Sequence, residues 1–115
     1  MKTSELQGAA LDWAVMKAEG PDSLAANFYY DANTPLCIED CIDLSPQWQP
    51  SIDWTQGGPI IERERIELVF NGNGWDAMQA DQHIPNEGPT PLIAAMRCYV
   101  ASKLGDEVEL PEGLQ

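Results

Sequence analysis

Four residues, Asn71-Gly72-Asn73-Gly74, constrain this chain more than any others. They stand between two apolar stretches, Ile66 to Phe70 and Trp75 to Ala80. Asn and Gly tolerate the positive φ of a tight hairpin turn, so the two stretches read as paired strands. A hairpin imposes antiparallel pairing, and the chain is therefore expected to hold a small antiparallel sheet. Helical signals lie on either side. From Ser4 to Glu19, Leu6, Ala10, Trp13 and Ala14 recur at i, i+4, i+7 and i+8 and predict a core-facing stripe. Ser4 and Gln7 form a capping-box pattern, Glu5, Asp12 and Glu19 mark a polar face, and Gly20-Pro21 stops the helix. A last helix is expected from Thr90 as N-cap, with Pro91 first, to Leu104, with Gly105 as its C-cap. On it Ile93, Met96, Val100 and Leu104 share one face. The fold class that follows is α+β, a small antiparallel sheet with the N-terminal and C-terminal helices packed on one face.

The remainder is less patterned. Asn27 to Tyr30 and Leu36 to Leu44 are candidate strands, but Pro35, Pro46 and Pro50 break the region into short pieces. Residues 22–50 read as a variable, acidic insert lying over the surface, and 106–115 as an extended acidic tail containing Pro111. At 115 residues and 43% hydrophobic, with 4 Trp, residues 1–115 make one domain able to bury a core. No apolar run approaches the roughly 20 residues needed to span a bilayer. Asp12 interrupts the N-terminal apolar stretch before a signal-peptide core is complete, so a cytoplasmic protein with reduced cysteines is expected.

Charge narrows the choice of function. Nineteen Asp and Glu against six Lys and Arg give a net charge of −13. Such a chain lacks the cationic surface that phosphate backbones require, which excludes broad nucleic-acid binding. Attachment to an anionic membrane is disfavoured for the same reason. A basic host protein would instead be attracted, so an acidic inhibitor that imitates DNA charge is one reading. Cys37, Cys41, Cys98 and His83 equal a structural zinc set in number. The Cys37–Cys41 spacing is looser than a zinc knuckle, and Cys98 falls inside an apolar helix, so no metal or other cofactor is expected. No G-x-S-x-G elbow or recognisable catalytic cysteine is present, and no catalytic residue is assigned. The abundant carboxylates leave a small carboxylate-dependent hydrolase as a further alternative.

The scarce cations point to a binding site. Gly57 and Gly58 read as a loop before a short helix opened by Pro59, a place where free backbone N–H groups receive an anion. Arg63 and Arg65 follow, Trp54 offers a ring for stacking, and Asp53 offers an acceptor for a sugar hydroxyl or base edge. The structural alternative has Asp53 capping the turn, Trp54 in the core and the arginines paired with Glu62, Glu64 and Glu67. Arg97 is the only charged residue from Thr90 through Ser102. Buried there, it needs a ligand phosphate, a carbonyl or a carboxylate such as Asp12 or Glu62. The candidate ligand-binding set is thus Asp53, Trp54, Gly57, Gly58, Arg63 and Arg97, for a phosphorylated or nucleotide-like ligand. Homo-oligomers are also expected, because a thin sheet with exposed aromatic residues can close its core across a two-fold.

Three segments carry a family resemblance. They are Thr3-Ser4-Glu5-Leu6 through Leu11-Asp12-Trp13-Ala14-Val15, then Asp53-Trp54-Thr55-Gln56-Gly57-Gly58-Pro59-Ile60-Ile61-Glu62-Arg63-Glu64, and the long run from Thr90-Pro91-Leu92 through Gly105-Asp106-Glu107-Val108. Together they cover roughly half the chain, which resembles the NinX-like proteins of lambdoid phages and prophages, a domain family of uncharacterised function. Residues 22–50 depart from that pattern. The resemblance implies an accessory role during infection, in the bacterial cytoplasm and including counter-defence, and implies no catalytic residue.

Overall fold

The computed structural model describes residues 1–20, 48–80 and 85–114. Its local geometry begins at the expected hairpin. Asn71 Oδ1 accepts the N–H groups of Asn73 at 3.0 Å and Gly74 at 2.8 Å. The Asn71 N–H donates to the Gly74 carbonyl at 3.0 Å, and Gly72 supplies a φ of 99°. This turn sets β1 (Glu67–Phe70) antiparallel to β2 (Trp75–Met78), with Leu68 opposite Ala77 and Phe70 opposite Trp75. A third strand, β3 (Asn86–Gly88), pairs antiparallel with β2 and completes a sheet of order β1-β2-β3. Its three residues, Asn-Glu-Gly, have no apolar alternation, so no local pattern announces them.

Three α-helices accompany the sheet: α1 (Gly8–Glu19), α2 (Trp54–Glu64) and α3 (Pro91–Leu104). The α+β expectation holds, with α3 at the centre. Thr90 Oγ1 accepts the Ile93 N–H at 3.1 Å, Pro91 opens the helix, and Gly105 at φ 91° ends it. Helix α3 lies on all three strands, while α1 and α2 pack against α3. It is consequently enclosed on most sides, and Leu92, Ala94, Ala95, Met96, Cys98, Tyr99 and Val100 are buried. Gly88 permits the close approach of β3, because a Cβ there would lie 2.5 Å from the Ala94 nitrogen.

Helix α1 starts later than the capping-box pattern indicates. Thr3–Glu5 form a 3₁₀ turn, Leu6 and Gln7 are extended, and α1 begins at Gly8 without a side-chain cap. The expected stripe is nevertheless buried at Leu6, Trp13 and Ala14. Asp12, expected on a polar face, is buried as well. It is covered by the segment Trp48–Ser51, whose Trp48 Nε1 donates to the Asp12 carbonyl at 2.9 Å and whose Ser51 N–H donates to Asp12 Oδ1 at 2.8 Å. The C-terminal end of the expected surface insert is therefore core, with Trp48 and Pro50 both buried. The candidate strands at Asn27–Tyr30 and Leu36–Leu44, together with Cys37, Cys41 and His83, lie outside the described residues.

The two ends of the chain clasp each other. Lys2 and Glu107 form an antiparallel bridge, Thr3 N–H donates to Asp106 C=O at 2.8 Å, and Val108 N–H to Met1 C=O at 2.9 Å. The tail is free of helix from Asp106 to Pro111, but Glu112–Leu114 form a 3₁₀ turn where an extended chain was expected. Val108 and Leu110 enter the core while Asp106, Glu107 and Glu109 face solvent. No helix among the described residues is long and apolar enough to cross a membrane.

Candidate ligand-binding groove

The segment singled out for anion binding has a different local structure. Helix α2 begins at Trp54, five residues before Pro59, so Gly57 and Gly58 are helical rather than a loop. The reason is the cap. Asp53 Oδ1 accepts both the N–H (2.9 Å) and the hydroxyl (2.7 Å) of Thr55, while its carbonyl accepts Gln56 N–H (3.1 Å) and Gly57 N–H (2.9 Å). Of the two amides expected to receive a ligand anion, that of Gly57 is thus satisfied by the chain's own Asp53, and that of Gly58 lies inside the helix. Gly57 is buried for packing: a Cβ there would stand 2.6 Å from both Leu92 Cδ2 and the Pro50 carbonyl oxygen. Gly58 lies beside the ring of Trp54, which is 53% exposed instead of filling the core.

Arg63 is committed elsewhere. Its Nη2 lies 2.8 Å from Glu19 Oε2, its Nη1 3.2 Å from Glu19 Oε1, and its Nε 2.9 Å from Glu64 Oε2. The guanidinium also sits 5.6 Å from the Tyr99 ring centroid, and the Tyr99 hydroxyl donates to Glu19 at 2.7 Å. The bidentate bond to Glu19 raises the Arg63 pKa, and Arg63 lowers that of Glu64. Arg63 therefore takes the expected Glu64 but adds Glu19, across 44 residues. Arg65 is the left-handed C-cap of α2, at φ 56°.

Arg97 stands apart from this network. It lies two residues before Tyr99, about 200° around α3, so it points away from Arg63. Trp54 and Arg63 are themselves about 14 Å apart along α2 by helical rise. The six expected ligand residues accordingly form two separate places, with Asp53, Trp54, Gly57, Gly58 and Arg63 along α2 and Arg97 on the far side of α3.

At that second place the geometry is open. Arg97 Nε donates to the Leu6 carbonyl at 2.7 Å, and Nη1 donates to the Glu87 carbonyl at 2.9 Å. Neither Asp12 nor Glu62, the carboxylates expected as structural partners, makes an ion pair with it. Burial alone shifts its pKa, downward, although a guanidinium stays charged. Two carbonyl dipoles thus hold the group rigidly, and Nη2 makes no hydrogen bond among the described residues. Arg97 lines a groove of about 520 Å³ together with Asn71, Asn73, Gly74, Asp76, Glu87, Gly88 and Pro89. Asp76 is oriented there by Asn71 Nδ2 at 2.9 Å. One fixed cation, two carboxylates and two amide side chains make a polar surface suited to a ligand carrying both an anionic group and hydroxyl or amine donors.

Sequence reasoning found Arg97 and the hairpin turn but not their meeting. Asp76, Glu87, Gly88 and Pro89 were missed because the groove depends on β3. The signal present was an isolated arginine on an apolar helix a few residues after a Gly-Pro pair. Cys98, on the same helix, is buried, and burial pushes its thiol up to about 11. That suits a packing residue rather than a nucleophile.

Against known families, residues 2–103 match the model described as Bacteriophage P22, NinX. The match spans most of the chain, residues 22–50 included. No curated protein matches the sequence.

Proposed function

The chain belongs to the phage NinX family, and from that premise we propose that it is a non-catalytic accessory protein holding a small phosphorylated, nucleotide-like ligand in the Arg97 groove. The observation carrying this reading is a guanidinium fixed by two carbonyls, paired with no carboxylate among the described residues, at the wall of an open polar groove. A phosphate would take the free edge of Arg97 in charge-assisted hydrogen bonds. Asp76 and Glu87 would accept from sugar hydroxyls, and Asn71 and Asn73 would meet a base edge. The protein would act in the host bacterial cytoplasm, where sequestering such a ligand serves counter-defence. Long-range repulsion from the −13 charge is screened beyond about 8 Å at physiological salt, so it slows approach more than it weakens contact. Thermal-shift screening with mononucleotides and cyclic dinucleotides, followed by calorimetry, tests the reading. Binding lost in Asp76→Asn and Arg97→Lys, with both variants folded, is the expected result. Absence of binding across the whole panel contradicts it.

A second reading rests on the C-terminal tail. Val108 and Leu110 are anchored in the core, so Asp106, Glu107, Glu109 and Glu112 are presented outward on a held backbone. A fixed row of carboxylates suits a basic host protein, bound in a salt-sensitive manner. Pull-down from host lysate with wild type and with Glu107→Gln/Glu109→Gln tests it. A cationic partner captured equally by both, or retained at high salt, speaks against this reading.

A further inference from the structure

Among the described residues, the outer edge of β1 is an open strand edge. The Asn71–Gly74 hydrogen bond marks those two residues as a hydrogen-bonded pair, so by antiparallel alternation the Val69–Asp76 and Glu67–Met78 pairs bond within the hairpin. The main-chain groups of Leu68 and Phe70 therefore point away from β2. No hydrogen bond to them is present among the described residues. The strand also carries two of the largest exposed apolar side chains, Val69 at 59% and Phe70 at 61%. No lysine, proline or bulge guards the edge of Glu67–Phe70, which is protected only by its shortness and by Glu67.

We propose that a second copy of this chain occupies that edge, pairing β1 antiparallel with its own symmetry mate about a two-fold centred on Val69. Independently of any small ligand, the register follows from two constraints. Residues directly opposite must share a sheet face, and within Glu67–Phe70 this leaves Leu68 opposite the mate's Leu68 or opposite the mate's Phe70. The first choice also needs the Ile66 N–H, which is already given to the Ile61 carbonyl at 3.1 Å. The second uses only free groups: Leu68 and Phe70 each exchange both main-chain bonds with the mate's Phe70 and Leu68. It sets Val69 against Val69 as the closely spaced, non-hydrogen-bonded pair. Glu67, the one charged residue of the strand, then falls opposite Asn71 and not opposite its own copy. The three-stranded sheet becomes six-stranded, β3-β2-β1-β1-β2-β3.

This occupant suits the strand better than a basic partner does, because three of its four residues are apolar. The contact is small, short of the roughly 1,000 Å² expected of a stable interface, and each copy carries −13. Dimerisation is therefore weak, dependent on concentration, and strengthened by salt, whereas attraction to a cationic partner would be weakened by it.

Sedimentation velocity of the full chain from about 10 µM to about 1 mM, at low and raised NaCl, tests the proposal. The expected result is a monomer–dimer equilibrium shifted toward dimer by salt. It should be lost in Val69→Lys and in Phe70→Pro, which removes an outward N–H but no hairpin bond. Circular dichroism establishes that each variant is folded, and Val69→Lys carries the test alone where the proline variant is not. In a Cys37→Ser/Cys41→Ser background, Val69→Cys should form a disulfide-linked dimer on mild oxidation, and Glu67→Cys should not. A strictly monomeric wild type, a dimer indifferent to Val69→Lys, or crosslinking through position 67 but not 69 overturns it.

Discussion

Two residues set the local costs of this fold. Asp12 is a buried carboxylate whose pKa is pushed up to about 6 by burial, although the hydrogen bond from the Ser51 N–H pulls it partly back. A raised pKa means that the native state binds this proton more readily than the unfolded state between about pH 4 and pH 6. Stability from this group thus falls as pH rises through that window and is lower at pH 7 by about 3 kcal/mol. Asp12→Asn is expected to raise the melting temperature at pH 7 and to converge with wild type near pH 4. Comparing the variants at each pH separates this effect from the general relief of −13 self-repulsion on acidification. Gly57 is the second such residue. Replacing it with Ala adds helix propensity worth up to about 1 kcal/mol, but the new methyl meets Leu92 and the Pro50 carbonyl at 2.6 Å. A net loss of about 1–2 kcal/mol in urea denaturation is expected, because overpacking outweighs propensity.

Among the elements, those closed by local chemistry were the legible ones. The Asn71–Gly74 hairpin and the Thr90-Pro91…Gly105 helix appear where their turn and cap residues put them. Helix α2 was misread because Gly57-Gly58-Pro59 resembles a loop opening a helix, while the true cap, Asp53, is five residues earlier than the expected cap position. Gly57 is glycine because Pro50 and Leu92 crowd it, a fact about distant residues that no local pattern holds. Strand β3 was invisible for a related reason, since only its pairing with β2 and its contact with α3 make it a strand. The candidate site shared this fate. Arg97 was legible as an arginine in want of a partner, whereas its carbonyl partners, Leu6 and Glu87, come from elements 91 and 10 residues away. Asp53 now separates the two interpretations of α2. As a cap, Asp53→Ala should cost about 1 kcal/mol of stability and leave ligand affinity unchanged. A folded variant with abolished binding would instead restore the helix N-terminus as the site.

For the whole molecule, the excess of acid and the few cations divide the surface into distinct places. Arg63 and Lys103 are drawn into ion pairs with Glu19 and Glu64, and among the described residues Arg97 alone combines a rigid mount with an open groove. The clasped termini hold the Leu6 segment against α3, so the Arg97 guanidinium is positioned by the closure of the entire chain. Membership of the NinX family places the protein among phage functions, and the groove is where a ligand-binding role would reside. The most direct measurement is a two-dimensional amide and arginine Nε NMR titration of the full chain with mononucleotides and cyclic dinucleotides. Saturable shifts confined to Asn71–Gly74, Asp76, Glu87–Gly88 and the Arg97 Nε–H are expected. Saturable shifts clustered instead at Trp54 and Arg63, or no saturable shift with any ligand, would contradict the assignment.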